Sequence, residues 1–230
     1  VKLSIWASLT PQQRLEHAQQ IITRFHQLRP HSYYIDKYRD AEADYWFPIL
    51  HQLDSQLSKG PQQKVLDVGP AYGTLLLYAA LWGAKGYGMD MYHQYWSKEL
   101  EQNYSIEWAQ KNIEADDIPW KEPFDVILFT EVLEHMNYHP GPVFRKFFDA
   151  LKPGGVLFLT TPWARAYASS VNPDLSQMPH YQPGMQFTDD EHKYYSLDEI
   201  MWLAKDAGFT ASYLDIYKNH LLLVLKRPEA

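Results

Sequence analysis

The chain has 230 residues, 46% hydrophobic and 21% charged, which excludes a disordered polymer and allows one well-buried domain. It has no cysteine, which removes disulfides, thiolate catalysis and zinc–thiolate sites and fits a cytoplasmic protein. With 21 basic and 28 acidic residues its net charge is −7, a mean field that opposes a nucleic-acid partner.

Residues 1–60 read as helical. Val1-Lys2-Leu3-Ser4-Ile5-Trp6 lacks a long apolar core before a small-residue site, so no signal peptide is expected, although Val1 is not a methionine. Thr10-Pro11 places a capping residue before a first-turn proline, and Leu15, Ile21, Ile22, Phe25 and Leu28 recur at helical spacing. The aromatic run Tyr33–Tyr38 precedes a second helix expected over Ala41–Leu57, and Gly60-Pro61 ends the zone.

From Lys64 to Thr161 strand and helix signals alternate. Strands are expected at Lys64–Val68, Lys85–Asp90, Ser105–Gln110, Phe124–Thr130 and Val156–Thr161, with Pro153-Gly154-Gly155 as a sharp turn before the last. Helix-length crossovers between them imply a largely parallel sheet covered on both faces. Residues 162–195 then interrupt the pattern with Pro162, Pro173, Pro179, Pro183 and many aromatics. A loop of this length above the carboxyl edge of such a sheet is expected to be functional. A helix from Ser196 to Gly208 and strands at Ala211–Tyr217 and Leu221–Leu225 close the chain, joined by Lys218-Asn219-His220 as a hairpin turn. No stretch reaches the roughly eighteen apolar residues of a membrane span.

The segment Val65-Leu66-Asp67-Val68-Gly69-Pro70-Ala71-Tyr72-Gly73 runs a strand into a glycine-punctuated turn and an apolar helix. That arrangement sets backbone N–H groups and a positive helix end beside a nucleotide-like ligand. Its spacing differs from Gly-x-Gly-x-x-Gly and instead resembles motif I of class I S-adenosylmethionine-dependent methyltransferases, with Ala71 where the middle glycine usually sits. Gly86–Asp90, Asn112–Trp120, Phe124–His135 and Leu151–Gly155 resemble the family's later segments, in order, over about residues 62–161. The resemblance implies an α/β, Rossmann-like, seven-stranded, mostly parallel sheet in the order 3-2-1-4-5-7-6, flanked by helices. Residues 61–230 then form the methyltransferase domain, residues 1–60 a helical lid, and 162–195 an inserted lid loop.

For the cofactor, S-adenosyl-L-methionine, the resemblance implies Asp67, Gly69, Ala71 and Gly73 around the loop and Asp90 with Met91 at the ribose. Asn112, Ile113 or Glu114 is implied at the adenine, their register left open, and Thr130 at the end of the fourth strand. A carboxylate suits the ribose because it offers two acceptor oxygens to two vicinal hydroxyls.

Glu131, Glu134 and His135 stand at i, i+3 and i+4, one face of a helix if a helix begins there. With His192 they resemble the pattern of ubiquinone-biosynthesis O-methyltransferases and small-RNA 2′-O-methyltransferases, which implies a divalent ion: magnesium, manganese, iron or zinc. The plainer reading is a helical turn carrying acids at its positive end, with His192 ordering the lid. Between them, His135 or His192 serves as a general base, since imidazole titrates near working pH. Aromatics at Tyr33, Tyr34, Tyr38, Tyr45, Trp46, Trp163, Tyr167, Tyr181 and Phe187 divide between core and acceptor pocket without a signal that separates them. Three functions follow: methyl transfer to a small-molecule oxygen, metal-dependent methylation of an RNA end, or a cofactor-binding module without catalysis. No membrane partner is expected.

Overall fold

Seven strands form one sheet in the order β3-β2-β1-β4-β5-β7-β6 in the computed structural model, which describes residues 3–27, 33–60, 62–167, 174–188 and 192–229. They are β1 (Lys64–Val68), β2 (Lys85–Asp90), β3 (Ile106–Gln110), β4 (Phe124–Thr130), β5 (Leu151–Pro162), β6 (Thr210–Tyr217) and β7 (His220–Lys226). The first five run parallel, and β7 runs antiparallel to both β5 and β6. This is the expected order, and it follows from strands that alternate between two buried faces. Val65, Val126, Leu128, Val156 and Phe158 face one core, while Leu66, Ile127, Phe129, Leu157 and Leu159 face the other.

The first face is covered by α2 (Pro11–His26), α3 (Arg39–Leu57) and α4 (Thr74–Leu81), and the second by α6 (Gly141–Ala150) and α7 (Leu197–Ala207). Short helices α1 (Leu3–Ser8) and α5 (Lys98–Asn103) complete the set. The capped ends behave as their residues require. Thr10 and Gln13 exchange side-chain and backbone hydrogen bonds in a capping box before Pro11, and Ser196 and Glu199 do the same before α7. Gly208 ends α7 with φ 101°, a left-handed cap.

Three expectations are corrected. The Pro153-Gly154-Gly155 turn lies inside β5: Leu151 already pairs with Phe124, and the register shifts before pairing resumes at Val156. The hairpin turn is Lys218-Asn219 alone, both left-handed at φ 44° and 68°. His220 belongs to β7, opposite Tyr217 and Pro162. A π-helical turn, Tyr34–Tyr38, leads directly into α3, which starts at Arg39 and accommodates Pro48.

The N-terminal helices, expected as a lid, share one hydrophobic core with the sheet: Trp6, Leu15, Ile22, Trp46, Ile49 and Leu53 cluster with Val65, Leu76 and Phe158. Arg14 pairs with Asp54 inside it and also donates to the Trp6 carbonyl at 2.8 Å, which joins α1, α2 and α3. Val1, Lys2, Leu28, Pro61 and Pro173, named in the sequence patterns above, lie outside the described residues, as does the side chain of Tyr167. Among the described residues no helix is long and apolar enough to cross a membrane.

Candidate active site

The carboxyl ends of β1, β2, β3 and β4 open onto a cleft of about 160 Å3. Gly69, Ala71, Asp90, Met91, Asn112, Ile113 and Glu114 line it together with Glu131 and His135. Parallel pairing explains the convergence. Met89 is level with Val68, and Gln110 with Asp90, so the segments that follow each strand emerge at one edge.

Gly69 and Gly73 take φ 73° and 79°, the left-handed region, and Ala71 takes φ 46°. A Cβ on Gly69 would come within 2.5 Å of Val132 Cγ2, and one on Gly73 within 2.8 Å of Leu100 and Trp96. Gly73 is the N-cap of α4 and stands behind the cleft rather than in its lining. Asp67 and Thr130 are also outside the lining, buried in their strands at 2% and 7% exposure.

Asp90 closes β2, and its Oδ1 accepts from the Tyr92 N–H at 2.9 Å. Asn112 Oδ1 accepts from the Glu114 N–H at 2.9 Å, while its Nδ2 is buried without a partner. Glu114 lines the cleft while its carboxylate accepts from the N–H groups of Asn137 at 3.1 Å and Tyr138 at 2.7 Å. Burial raises its pKa and those two amides oppose the rise. Asn137 in turn accepts from the Thr188 N–H at 2.8 Å, so the wall of the cleft at Glu114 is tied to the inserted loop. Asp67 Oδ1 is buried without a partner, and burial, then Asp90, pushes its carboxyl well above the usual range.

The Glu-x-x-Glu-His run does not form the expected α-helical face. Glu131 is left-handed at φ 53°, and only Leu133–His135 follows as a single 3-10 turn. Glu134 Oε1 nevertheless stays 4.0 Å from His135 Nε2. Glu131 Oε2 lies 2.9 Å from His220 Nδ1, a hydrogen-bond separation, yet the ring is turned so that Nδ1 has no well-aligned partner; Glu131 Oε1 is buried without one. Glu134 is buried in the core, accepting from the Thr161 hydroxyl at 3.0 Å, and burial, then Glu131, holds its pKa well above the usual range. His135 does meet His192, ring centroids 4.5 Å apart and edge-on, and His192 stands outside the cleft lining. Among the described residues no group of three or more His, Cys, Asp or Glu is disposed to hold a metal ion.

Several lining residues escaped the sequence reading. Tyr92 and Tyr95, directly after the ribose acid, line the cleft, as do Lys111, Val132 and Met136. Tyr92, Lys111 and Val132 fall within two residues of a strand end, which was the available signal; Tyr95 and Met136 lie five and six residues beyond one. His220 carried none, since it approaches Glu131 only through the antiparallel placement of β7. Of the aromatics weighed for an acceptor pocket, Tyr34 and Trp46 are core residues and Tyr33 is exposed. Tyr181 and Phe187 stack on each other beside Tyr138. Tyr45 packs against His220 at 4.9 Å and Tyr38 against Tyr72 at 5.0 Å.

Comparison with known proteins agrees with this geometry. Residues 35–214 match the methyltransferase domain family. A ubiquinone biosynthesis O-methyltransferase of Pseudomonas fluorescens is 38% identical over 108 residues, covering 43% of this chain and 44% of the relative. The chain thus spans about half the length of the curated relatives it matches. A putative S-adenosylmethionine-dependent methyltransferase from Listeria monocytogenes superposes with TM-score 0.61 at 18% identity, covering 82% of this chain and 100% of that one. The magnesium protoporphyrin IX methyltransferase of Synechocystis, solved with S-adenosylhomocysteine bound, gives 0.60 at 15% identity over 89% and 91% of the two chains. With the family match covering most of its length and the sheet order and strand-edge cleft in place, the chain belongs to the methyltransferase domain family, in its class I S-adenosylmethionine-dependent form.

Proposed function

We propose that this chain transfers a methyl group from S-adenosylmethionine to an oxygen of a small-molecule acceptor. The observation that carries the reading is the set of buried polar atoms without partners in and behind the cleft. Asn112 Nδ2 is a donor, and Asp67 Oδ1 and Glu131 Oε1 are acceptors. Buried polar groups rarely stay unsatisfied, and this set suits a ligand with an acceptor-bearing ring at one end and a cation at the other. The acceptor atom follows from the similarity to relatives named O-methyltransferases, and the net charge of −7 favours an acceptor without a phosphate backbone.

S-adenosylmethionine supplies a methyl group on a sulfonium whose sulfur leaves as a neutral thioether. The chain therefore has mainly to align the acceptor and exclude water. Asp90 offers a carboxylate to the vicinal ribose hydroxyls, Met91 and Ile113 give the ring an apolar seat, and Asn112 donates to it. Glu131, in the lining, accepts from the ammonium group, and Asp67 stands behind the loop in β1. His135 is in the lining with 36% of its side chain exposed, and takes the proton of the acceptor hydroxyl, with His192 packed against it.

The test is transfer of an isotope-labelled methyl group to catechol and phenol as probe acceptors, read by mass spectrometry, alongside calorimetry with S-adenosylhomocysteine. A labelled ether is expected, and His135→Gln should lower kcat by about a hundredfold at unchanged affinity for S-adenosylhomocysteine, the scale of a lost general base. Absence of cofactor binding sinks the whole reading. Binding without transfer to either oxygen leaves a cofactor-binding module.

A further inference from the structure

The cofactor loop has a rear face turned from the cleft toward the N-terminal helices. Tyr72 is buried there among Tyr34 at 4.7 Å, Tyr38 at 5.0 Å and His26 at 5.1 Å, centroid to centroid. Two residues on, Thr74 opens α4, and its hydroxyl donates to Glu42 Oε1 at 2.6 Å. Glu42 belongs to α3 and is fully buried. Its other oxygen accepts from Gln19 Nε2 at 2.9 Å and from the Tyr34 hydroxyl at 3.1 Å. Gln19 also donates to the Arg39 carbonyl at 2.8 Å. A single carboxyl group thus joins α2, the π-helical turn, α3 and the first residue of α4.

A buried carboxyl held only by neutral donors is a poor stabilising device, because apolar residues of similar volume pack there without the desolvation cost. What it does fix is local. The loop it reaches contains Gly69, Ala71 and Gly73, all left-handed, and such conformations persist only where surrounding structure over-determines them. Neither Glu42 nor Thr74 lines the cleft, so any influence on the cofactor passes through the backbone of residues 69–74.

We propose that Glu42 is a positioning residue for the cofactor loop: acting through the Thr74 hydroxyl, it holds residues 69–74 in the shape that receives S-adenosylmethionine. The inference rests on the reading of the cleft as the cofactor site. It also gives the N-terminal helices a role other than closing over the acceptor, since they brace the loop from behind.

Thr74→Val removes the hydroxyl and keeps the shape of the side chain, so it is the primary variant, with Glu42→Ala and Glu42→Gln beside it. The readouts are S-adenosylhomocysteine affinity by calorimetry, thermal midpoint, and hydrogen exchange of the amides of residues 69–77 in the ligand-free protein. Thr74→Val and Glu42→Ala are expected to weaken affinity by about tenfold, the scale of a lost buried hydrogen bond. Faster exchange should be confined to the loop. Glu42→Gln retains an oxygen for Thr74 and should restore affinity to within about threefold of wild type. If Glu42→Ala does not fold, Thr74→Val decides alone. Wild-type affinity with unchanged loop exchange in Thr74→Val overturns the proposal. If the wild type binds no S-adenosylhomocysteine, the cofactor reading fails by itself, and the exchange comparison still decides whether Glu42 holds the loop.

Discussion

On the β1–β3 side of the cleft, each lining residue belongs to the end of its own strand: Gly69 follows β1, Asp90 closes β2 and Asn112 follows β3. On the β4–β7 side, Glu131 meets His220 from the far end of the chain, with Tyr45 of α3 packed against the imidazole at a tilt of 54°. Behind the cofactor loop, Thr74 likewise meets Glu42 of α3. The first side is placed by a parallel hydrogen-bond ladder that carries each strand end to the same edge. The other contacts are placed by packing between distant elements, which nothing in a local window encodes. A strand-end residue can therefore be assigned from its own neighbourhood, whereas a residue such as His220 acquires its neighbour only in the folded molecule.

The largest expected effect breaks the strand-end side at its first turn. Gly69→Ala combines a left-handed conformation, about 1–2 kcal/mol, with a Cβ driven into Val132, about 1–3 kcal/mol of overpacking. Denaturant unfolding should report a loss on the order of 2–5 kcal/mol; a loss under about 1 kcal/mol would mean that the turn relaxes freely. Next, Asp90→Ala should weaken S-adenosylhomocysteine by roughly 1–3 kcal/mol in calorimetry, as for lost hydrogen bonds to a charged group. Unchanged affinity would take the ribose away from β2.

The third prediction probes the brace behind the loop. Burial lifts the Glu42 carboxyl from 4.5 to about 8, against hydrogen bonds from Thr74, Gln19 and Tyr34 and the charge of Arg39 that favour the anion. The folded pKa lies above the unfolded one, so the contribution of Glu42 to stability is complete below about pH 4.5 and is lost as pH rises through about 8. Unfolding free energies of wild type and Glu42→Gln should therefore diverge between about pH 5 and about pH 9, with the variant gaining relative to wild type. The groups facing Glu42 from the neighbouring elements are Tyr34, Tyr38, Arg39, Gln19 and Thr74. A pH-independent difference would show that the donors outweigh burial and keep the carboxylate ionised.

The smallest effect is expected at Ala71, where a methyl group sits at φ 46°. Ala71→Gly removes about 1–2 kcal/mol of left-handed strain and costs about 0.5–1 kcal/mol in unfolded-chain entropy. A net gain of about 0.5–1 kcal/mol in unfolding free energy should result. A loss would show that the alanine methyl makes a packing contribution that outweighs its backbone strain.

Much of this molecule was legible before folding. The strand bounds Lys64–Val68, Lys85–Asp90 and Phe124–Thr130 match residue for residue, because β-branched and apolar runs between turn residues leave the backbone few alternatives. The caps at Thr10 and Ser196 were readable because capping is a contact across three residues. The Glu131–His135 face was misread for a related reason. Helical spacing is a statement about a helix, and the left-handed Glu131 prevents one from starting there. The partners of Glu114, the amides of Asn137 and Tyr138, were not readable because they belong to another loop.

From residue order alone came the alternation of strands and helices, the glycine turn after β1, the acid at the end of β2 and hence the edge of the sheet at which a ligand binds. Each depends on backbone preferences and hydrogen bonds within a few residues. Only the tertiary structure decided that Glu42 stands behind the loop, that Glu131 faces His220 and that the Glu-x-x-Glu-His run forms no α-helical face. Those neighbours are selected by burial and packing across the whole chain, and a buried carboxyl group takes its partners from whatever the fold brings within hydrogen-bond reach.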